Sequence, residues 1–145
     1  GQRKEAARTW SHSLARSPDA PRLLKAAVIT MSLPWPGLNT KPDLGRTLAN
    51  RLVETQPGSS DAMLLLSAAA LSEGDLNVTA ETLNKAAGMK GDLVAIRLIQ
   101  AMLLAELGDM AQGREIYDRV RPRITQLNML REGLLQRAQS IFETP

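Results

Sequence analysis

Two segments of this chain, SEGDLNVTAETLNKA (residues 72–86) and ELGDMAQGREIYDRV (residues 106–120), each carry a Gly-Asp pair between two helical patterns. The pairs begin at Gly74 and Gly108, which lie 34 residues apart. A largely apolar pattern precedes each pair and a more polar amphipathic pattern follows it. Glycine commonly follows a helix C-terminus and aspartate caps a helix start, so each pair predicts a turn between two antiparallel helices.

A helix-turn-helix unit that recurs every 34 residues resembles the tetratricopeptide repeat, whose pattern is W-x2-L-G-x2-Y…A-x3-F…P. The first unit matches mostly in side-chain size and polarity. In the second unit, Arg97 and Gln100 stand where Trp and Leu are usual, which predicts that this helix docks at an altered angle. The other positions that carry the resemblance are Met63, Leu66, Ser67, Ala70, Thr79 and Leu83, then Ala101, Leu104, Gly113 and Tyr117, and upstream Ala6, Trp10, Gly45 and Ala49.

The stretch SLPWPGLNTKPDLG, residues 32–45, interrupts this regularity with three prolines. The prolines that close the two upstream units, Pro18 and Pro57, lie 39 residues apart, five more than a standard repeat allows. We therefore interpret the stretch as an enlarged turn, with Pro42 in a first helical turn. Trp35 either folds back over the neighbouring helix ends, which we favour, or is exposed for recognition.

The sequence thus predicts an all-α fold. The resemblance implies antiparallel pairs in a right-handed superhelix with a C-terminal capping helix. We expect one domain, 1–145, made of a half repeat (1–18), a repeat with the enlarged turn (19–57), two further repeats (60–91 and 94–122) and a capping helix (123–142). The predicted helices lie near 2–17, 20–33, 43–56, 60–73, 76–89, 92–107, 110–120 and 123–142.

Composition argues against catalysis. Hydrophobic residues make up 43% of the 145 residues, enough for one continuous core, and aromatic residues only 3%, which favours close helix packing. There is no cysteine, and the single histidine, His12, excludes a two-histidine metal site. We predict no enzyme activity, no cofactor and no bound metal. A net charge of +3 does not indicate nucleic acid, and no apolar run is long enough to span a membrane.

Two segments are apolar nearly all round, SDAMLLLSAAALSE (60–73) and DLVAIRLIQAMLLAELG (92–108), and such helices are covered on most sides. By resemblance, the first helix of each pair lines a concave groove. Ile29 stands where a carboxylate clamp needs Asn, so we expect an apolar groove. Its lining also includes Ala105, and the candidate partner-binding residues are Lys25, Ile29, Leu33, Trp35, Leu64, Ala68, Leu71, Leu98 and Met102.

Three other features have structural interpretations that we favour. The last helix carries Ile124, Leu127, Leu130, Leu134, Ala138 and Ile141 near one face, typical of a terminal cap; its periodicity does not decide whether it enters the groove. Gly88 and Gly91 predict a left-handed C-cap and tight turn rather than a phosphate loop. The cluster of Arg114, Arg119, Arg121 and Arg123 fits helix-dipole and solubility roles, or an anionic or acidic partner.

The function expected from these features is a non-catalytic scaffold that binds a partner helix or extended segment of a protein. Alternatives are a regulatory or substrate-recruiting domain of a larger enzyme and a self-association module. The Ala, Leu and Arg bias looks bacterial, and similar repeats occur in envelope assembly and secretion systems. The sequence does not distinguish a periplasmic location from a cytoplasmic one.

Overall fold

The computed structural model of the protein describes residues 21–33 and 41–143, and all regular structure in these ranges is helical. This confirms the all-α class for the described part of the chain. The predicted half repeat 1–18, His12 and Trp35 lie outside it. None of the described helices is long and apolar enough to cross a bilayer. The helices are α1 (Pro21–Ser32), α2 (Pro42–Thr55), α3 (Ser60–Glu73), α4 (Leu76–Gly88), α5 (Leu93–Glu106), α6 (Met110–Val120), a 3-10 turn (Arg121–Arg123) and α7 (Met129–Phe142).

The two Gly-Asp turns form as predicted. Gly74 and Gly108 have φ values of 83° and 95°, a region that glycine enters without steric cost. Asp75 accepts a hydrogen bond from the Val78 N–H at the start of α4, and Asp109 caps α6 in the same way. Each aspartate satisfies one of the otherwise unpaired N–H groups of a first helical turn. These turns separate α3 from α4 and α5 from α6.

Consecutive helices pack most extensively in the pairs α1–α2, α3–α4 and α5–α6. The pairs then stack on one another, because α3 packs against both α1 and α2, and α5 packs against both α3 and α4. Helix α7 breaks this order. It packs mainly on α5 and makes smaller contacts with α6 and α1, so it contacts the first helix pair as well as the preceding pair.

Two local predictions were wrong. The last helix begins at Met129 and not near residue 123, because Pro122 lies in a 3-10 turn and Asn128 caps α7 by accepting a hydrogen bond from the Arg131 N–H at 2.9 Å. After α4, the left-handed residue is Lys90, with φ 57°, and not a glycine. Gly91 is needed for space instead, since a Cβ there would lie 3.1 Å from the Ala86 carbonyl oxygen.

Candidate binding surfaces

The apolar residues predicted to line a groove are on the inside of the protein. Leu98 has no exposed surface, and Ile29, Leu33, Leu64, Ala68, Leu71 and Met102 are also buried, while Ala105 is partly buried. They belong to one hydrophobic core that α1, α3 and α5 share with the other helices. The α1–α3–α5 face, which we define by these apolar residues, is therefore not open to solvent. Its role in binding a partner stays a prediction.

Helix α7 contributes to this core from the C-terminal end of the chain. Its buried residues Leu134, Leu135, Ala138 and Phe142 belong to the same hydrophobic cluster as Leu98. Gly133 allows a close approach to Leu33, which directly follows α1, since a Cβ at position 133 would lie 2.7 Å from Leu33 Cδ1. A helix with an apolar stripe thus covers apolar side chains of the α1–α3–α5 face.

A bidentate ion pair fixes the first turn of α7 to the start of α5. Arg131 Nε donates to Asp92 Oδ2 at 2.8 Å, and Nη2 donates to Oδ1 at 3.0 Å. Asp92 also caps α5 by accepting from the backbone N–H groups of Val94 and Ala95. Partial burial raises the pKa of Asp92, but the hydrogen bonds from Arg131 and the two N–H groups outweigh it, so the pKa lies below its usual range.

A second arginine of α7 reaches α3. Arg137 Nη1 donates to Ser72 Oγ at 2.6 Å, and the Ser72 hydroxyl donates to the Ser32 carbonyl oxygen at the end of α1. Desolvation lowers the pKa of Arg137, although the charge of Glu106 acts in the opposite direction. A polar chain thus links α7, α3 and α1 across the same face.

The C-terminal end of α7 packs on α6. The rings of Phe142 and Tyr117 are stacked with centroids 5.1 Å apart, and Arg114 Nη1 donates to the Phe142 carbonyl oxygen at 2.9 Å. The Tyr117 hydroxyl is hydrogen bonded to the Glu143 carboxylate. Burial, with this hydrogen bond and the nearby negative charge, raises the pKa of Tyr117 to about 12. Gly113 faces the Phe142 ring, and a Cβ there would lie 3.2 Å from it.

Sequence reasoning missed the arginines of α7. The apolar spacing of the last helix gave no role to Arg131 or Arg137, whereas both bind groups on other helices. The available signal was Gly133, because a glycine inside a helical pattern costs stability and often marks close packing. Lys25, the one candidate that is not apolar, is partly exposed and forms a 3.7 Å ion pair with Asp61 on α3.

In the described part of the chain, grooves are also open beside α5. The α4–α5 groove, of about 480 Å³, includes Arg97 and Gln100, the two positions that depart from the repeat pattern, among its lining residues. The α5–α6 groove, of about 370 Å³, shares Leu93 and Arg97 with it. Each groove combines an apolar floor with cationic side chains.

The described residues contain no cluster of three or more histidine, cysteine, aspartate or glutamate side chains that could hold a metal ion. Comparisons with protein-family models, with curated proteins and with solved structures yield no match. The surfaces described above are therefore the basis for a functional proposal.

Proposed function

We propose that this chain is a non-catalytic, tetratricopeptide-like module that binds an amphipathic helix of a protein partner on its α1–α3–α5 face. The observation that carries the proposal is the position of α7. An amphipathic helix already lies on this face, with Leu134, Ala138 and Phe142 in the shared core. The face is therefore complementary to a helix, the ligand that an apolar groove between helices commonly takes.

In this proposal α7 is an intramolecular occupant that a partner helix replaces. A short connection, residues 124–128, holds α7 near the face, which gives α7 a high effective concentration there. A partner competes when it binds the face more tightly or when it also contacts α7. The mostly exposed residues of this connection provide a place to cut the chain without removing a buried side chain.

The test is an exchange experiment on the full chain with a protease site inserted between Thr125 and Gln126. After cleavage, a fluorescent peptide with the sequence of residues 128–143 is added, and its anisotropy and the release of the native segment are measured. We expect the peptide to replace the native segment while the circular dichroism of the remaining helices is kept. A control peptide with Leu134→Asp and Ala138→Asp should not exchange, because burying an unpaired carboxylate is costly.

The proposal is wrong if the native segment leaves only when the whole chain unfolds. Helix α7 would then be a permanent part of the fold, and the face would not be a binding site.

A further inference from the structure

Among the described residues, no helix continues the stack beyond α5 and α6. In the described chain, α3 packs on α1 and α2, and α5 packs on α3 and α4. By the same order α7 would pack along α5 and α6, yet it lies mainly on α5, contacts α6 at its C-terminal end through Phe142, and makes a further contact with α1. No residue within 21–33 and 41–143 occupies the position in which a next helix would continue the stack, and the α5–α6 groove lies between these two helices.

This groove has the residue spacing of a helix-docking surface. Its lining residues on α6 and the following turn are Ile116, Arg119, Val120 and Arg123, which follow one another at i, i+3, i+4 and i+7 and so share one side of the chain. From α5 come Leu93, Val94 and Arg97. Leu93 is 61% exposed, so a helix docked in the groove would bury part of its apolar surface.

The charge of the groove is uniformly positive among its lining residues. Arg97, Arg119 and Arg123 line it, and no carboxylate does. Arg119 is paired with Glu115 on the preceding turn, at 2.5 Å. Within residues 21–33 and 41–143, neither Arg97 nor Arg123 has a carboxylate partner. Arg97 Nη1 donates to the neutral Gln100 amide oxygen at 3.0 Å. Among the described residues, two guanidinium groups without a carboxylate partner therefore line an apolar groove.

We propose that the α5–α6 groove binds an acidic amphipathic helix of a partner protein, which adds to the stack as its next helix. Continuity with the α3 and α5 interfaces defines the position, and the arginines define the charge. The partner helix presents apolar side chains over about two turns, roughly 10 Å, to the floor formed by Val94, Ile116 and Val120. Its flanking carboxylates pair with Arg97 and Arg123.

Other occupants fit this groove less well. The lining contains no aromatic side chain on which a nucleic-acid base would stack. The surface is concave, so a flat bilayer would touch its rim and not its floor. A second copy that presented the same groove would oppose arginine to arginine. This inference goes beyond the proposed function, since it concerns a surface that α7 leaves open.

The test begins with selection from a random peptide library displayed on phage, with the full chain as the target. We expect the enriched peptides to be acidic, with apolar residues at i, i+3, i+4 and i+7. The double variant Arg97→Glu with Arg123→Glu should weaken the binding of a selected synthetic peptide by about tenfold or more, because it reverses two pairing charges. The control, Lys41→Glu with Lys85→Glu, makes the same change of net charge at exposed positions elsewhere.

Several results would overturn the inference. Peptides without acidic bias, an absence of enrichment, or equal weakening by the control pair would each contradict it. The inference would also be wrong if the chain bound vesicles of phosphatidylcholine and phosphatidylglycerol and the Arg97 and Arg123 changes abolished that binding. A dimer seen in sedimentation that the same changes dissociate would contradict it as well. A selected peptide should still bind the chain after cleavage and after the added peptide of residues 128–143 has replaced α7. This result would show that the peptide binds at a site other than the α1–α3–α5 face.

Discussion

Gly113→Ala should destabilise the protein even though it places a better helix former in α6. A Cβ at Gly113 would lie 2.6 Å from the Ala101 carbonyl oxygen of α5, whereas a close carbon–oxygen contact is about 3.3 Å. The two helices would have to separate by several tenths of an ångström. The obstacle is backbone, so it cannot rotate away as a flexible side chain can.

The size of the effect follows from two opposing contributions. Replacing glycine by alanine inside a helix favours folding by about 1 kcal/mol. Overpacking of a core costs about 1–3 kcal/mol, and a backbone obstacle belongs in the upper part of that range. We therefore expect a net loss of about 1–2 kcal/mol in the free energy of unfolding. The matched control is Gly88→Ala at the end of α4, where no atom beyond the adjacent residues and the backbone of the same helix lies within 4 Å of the added Cβ. It should stabilise by up to about 1 kcal/mol.

The assay is urea denaturation followed by far-ultraviolet circular dichroism, with the slope compared among the variants. The Phe142 ring also lies near the added Cβ, at 3.2 Å, so Phe142→Leu is combined with Gly113→Ala in a double-mutant cycle. If the Ala101 carbonyl causes the loss of unfolding free energy, adding Phe142→Leu to Gly113→Ala restores less than half of that loss. A Gly113→Ala variant as stable as the parent chain would refute the close approach of α5 and α6.

The remaining predictions concern the contacts of α7. Asp92→Asn should remove part of the stability that the protein has above pH about 4, since a lowered carboxyl pKa contributes stability that is lost as the pH falls; acid unfolding curves of the two proteins measure it. Tyr117, the one tyrosine of the chain, should ionise in near-ultraviolet titration near pH 12, and its contribution to stability should be lost as the pH rises from about 10. Arg137→Met should keep or raise the free energy of unfolding measured by urea denaturation, because it removes a desolvated charge whose hydrogen-bond partner Ser72 is neutral; a loss of more than about 2 kcal/mol would contradict this.

The sequence was most informative where local chemistry determines structure. The turns at Gly74 and Gly108 follow from residues within one helical turn of each other, and the pattern placed them correctly. The start of α7 was harder, because residues 123–127 continue an apolar spacing that suits a helix. Pro122 and the Asn128 cap end that pattern, and both residues are local signals of a helix boundary that the sequence contains.

The position of α7 could not be read from the sequence. Periodicity shows which side of a helix is apolar, and it does not show which distant surface that side meets. The contacts of Gly133 with Leu33 and of Arg131 with Asp92 join positions far apart in the chain. The exposed α5–α6 groove has the same origin, because it lies where α7 would pack if it continued the stack.

The central claim is that α7 covers the α1–α3–α5 face and can be replaced there by another helix. A cysteine pair tests it in a chain that has no cysteine of its own. A Cβ at position 133 would lie 3.4 Å from Leu33 Cβ, close to the separation found in disulfides, so Leu33→Cys with Gly133→Cys should form one readily. Leu33→Cys with Ser140→Cys, which places the second thiol at an exposed position, is the control.

The decisive measurement is the binding of the labelled peptide of residues 128–143 to the cleaved chain that carries the first cysteine pair. The peptide should bind when the pair is reduced and be excluded when the pair is oxidised. Equal binding in both states would contradict the claim, because the peptide would then occupy some other surface.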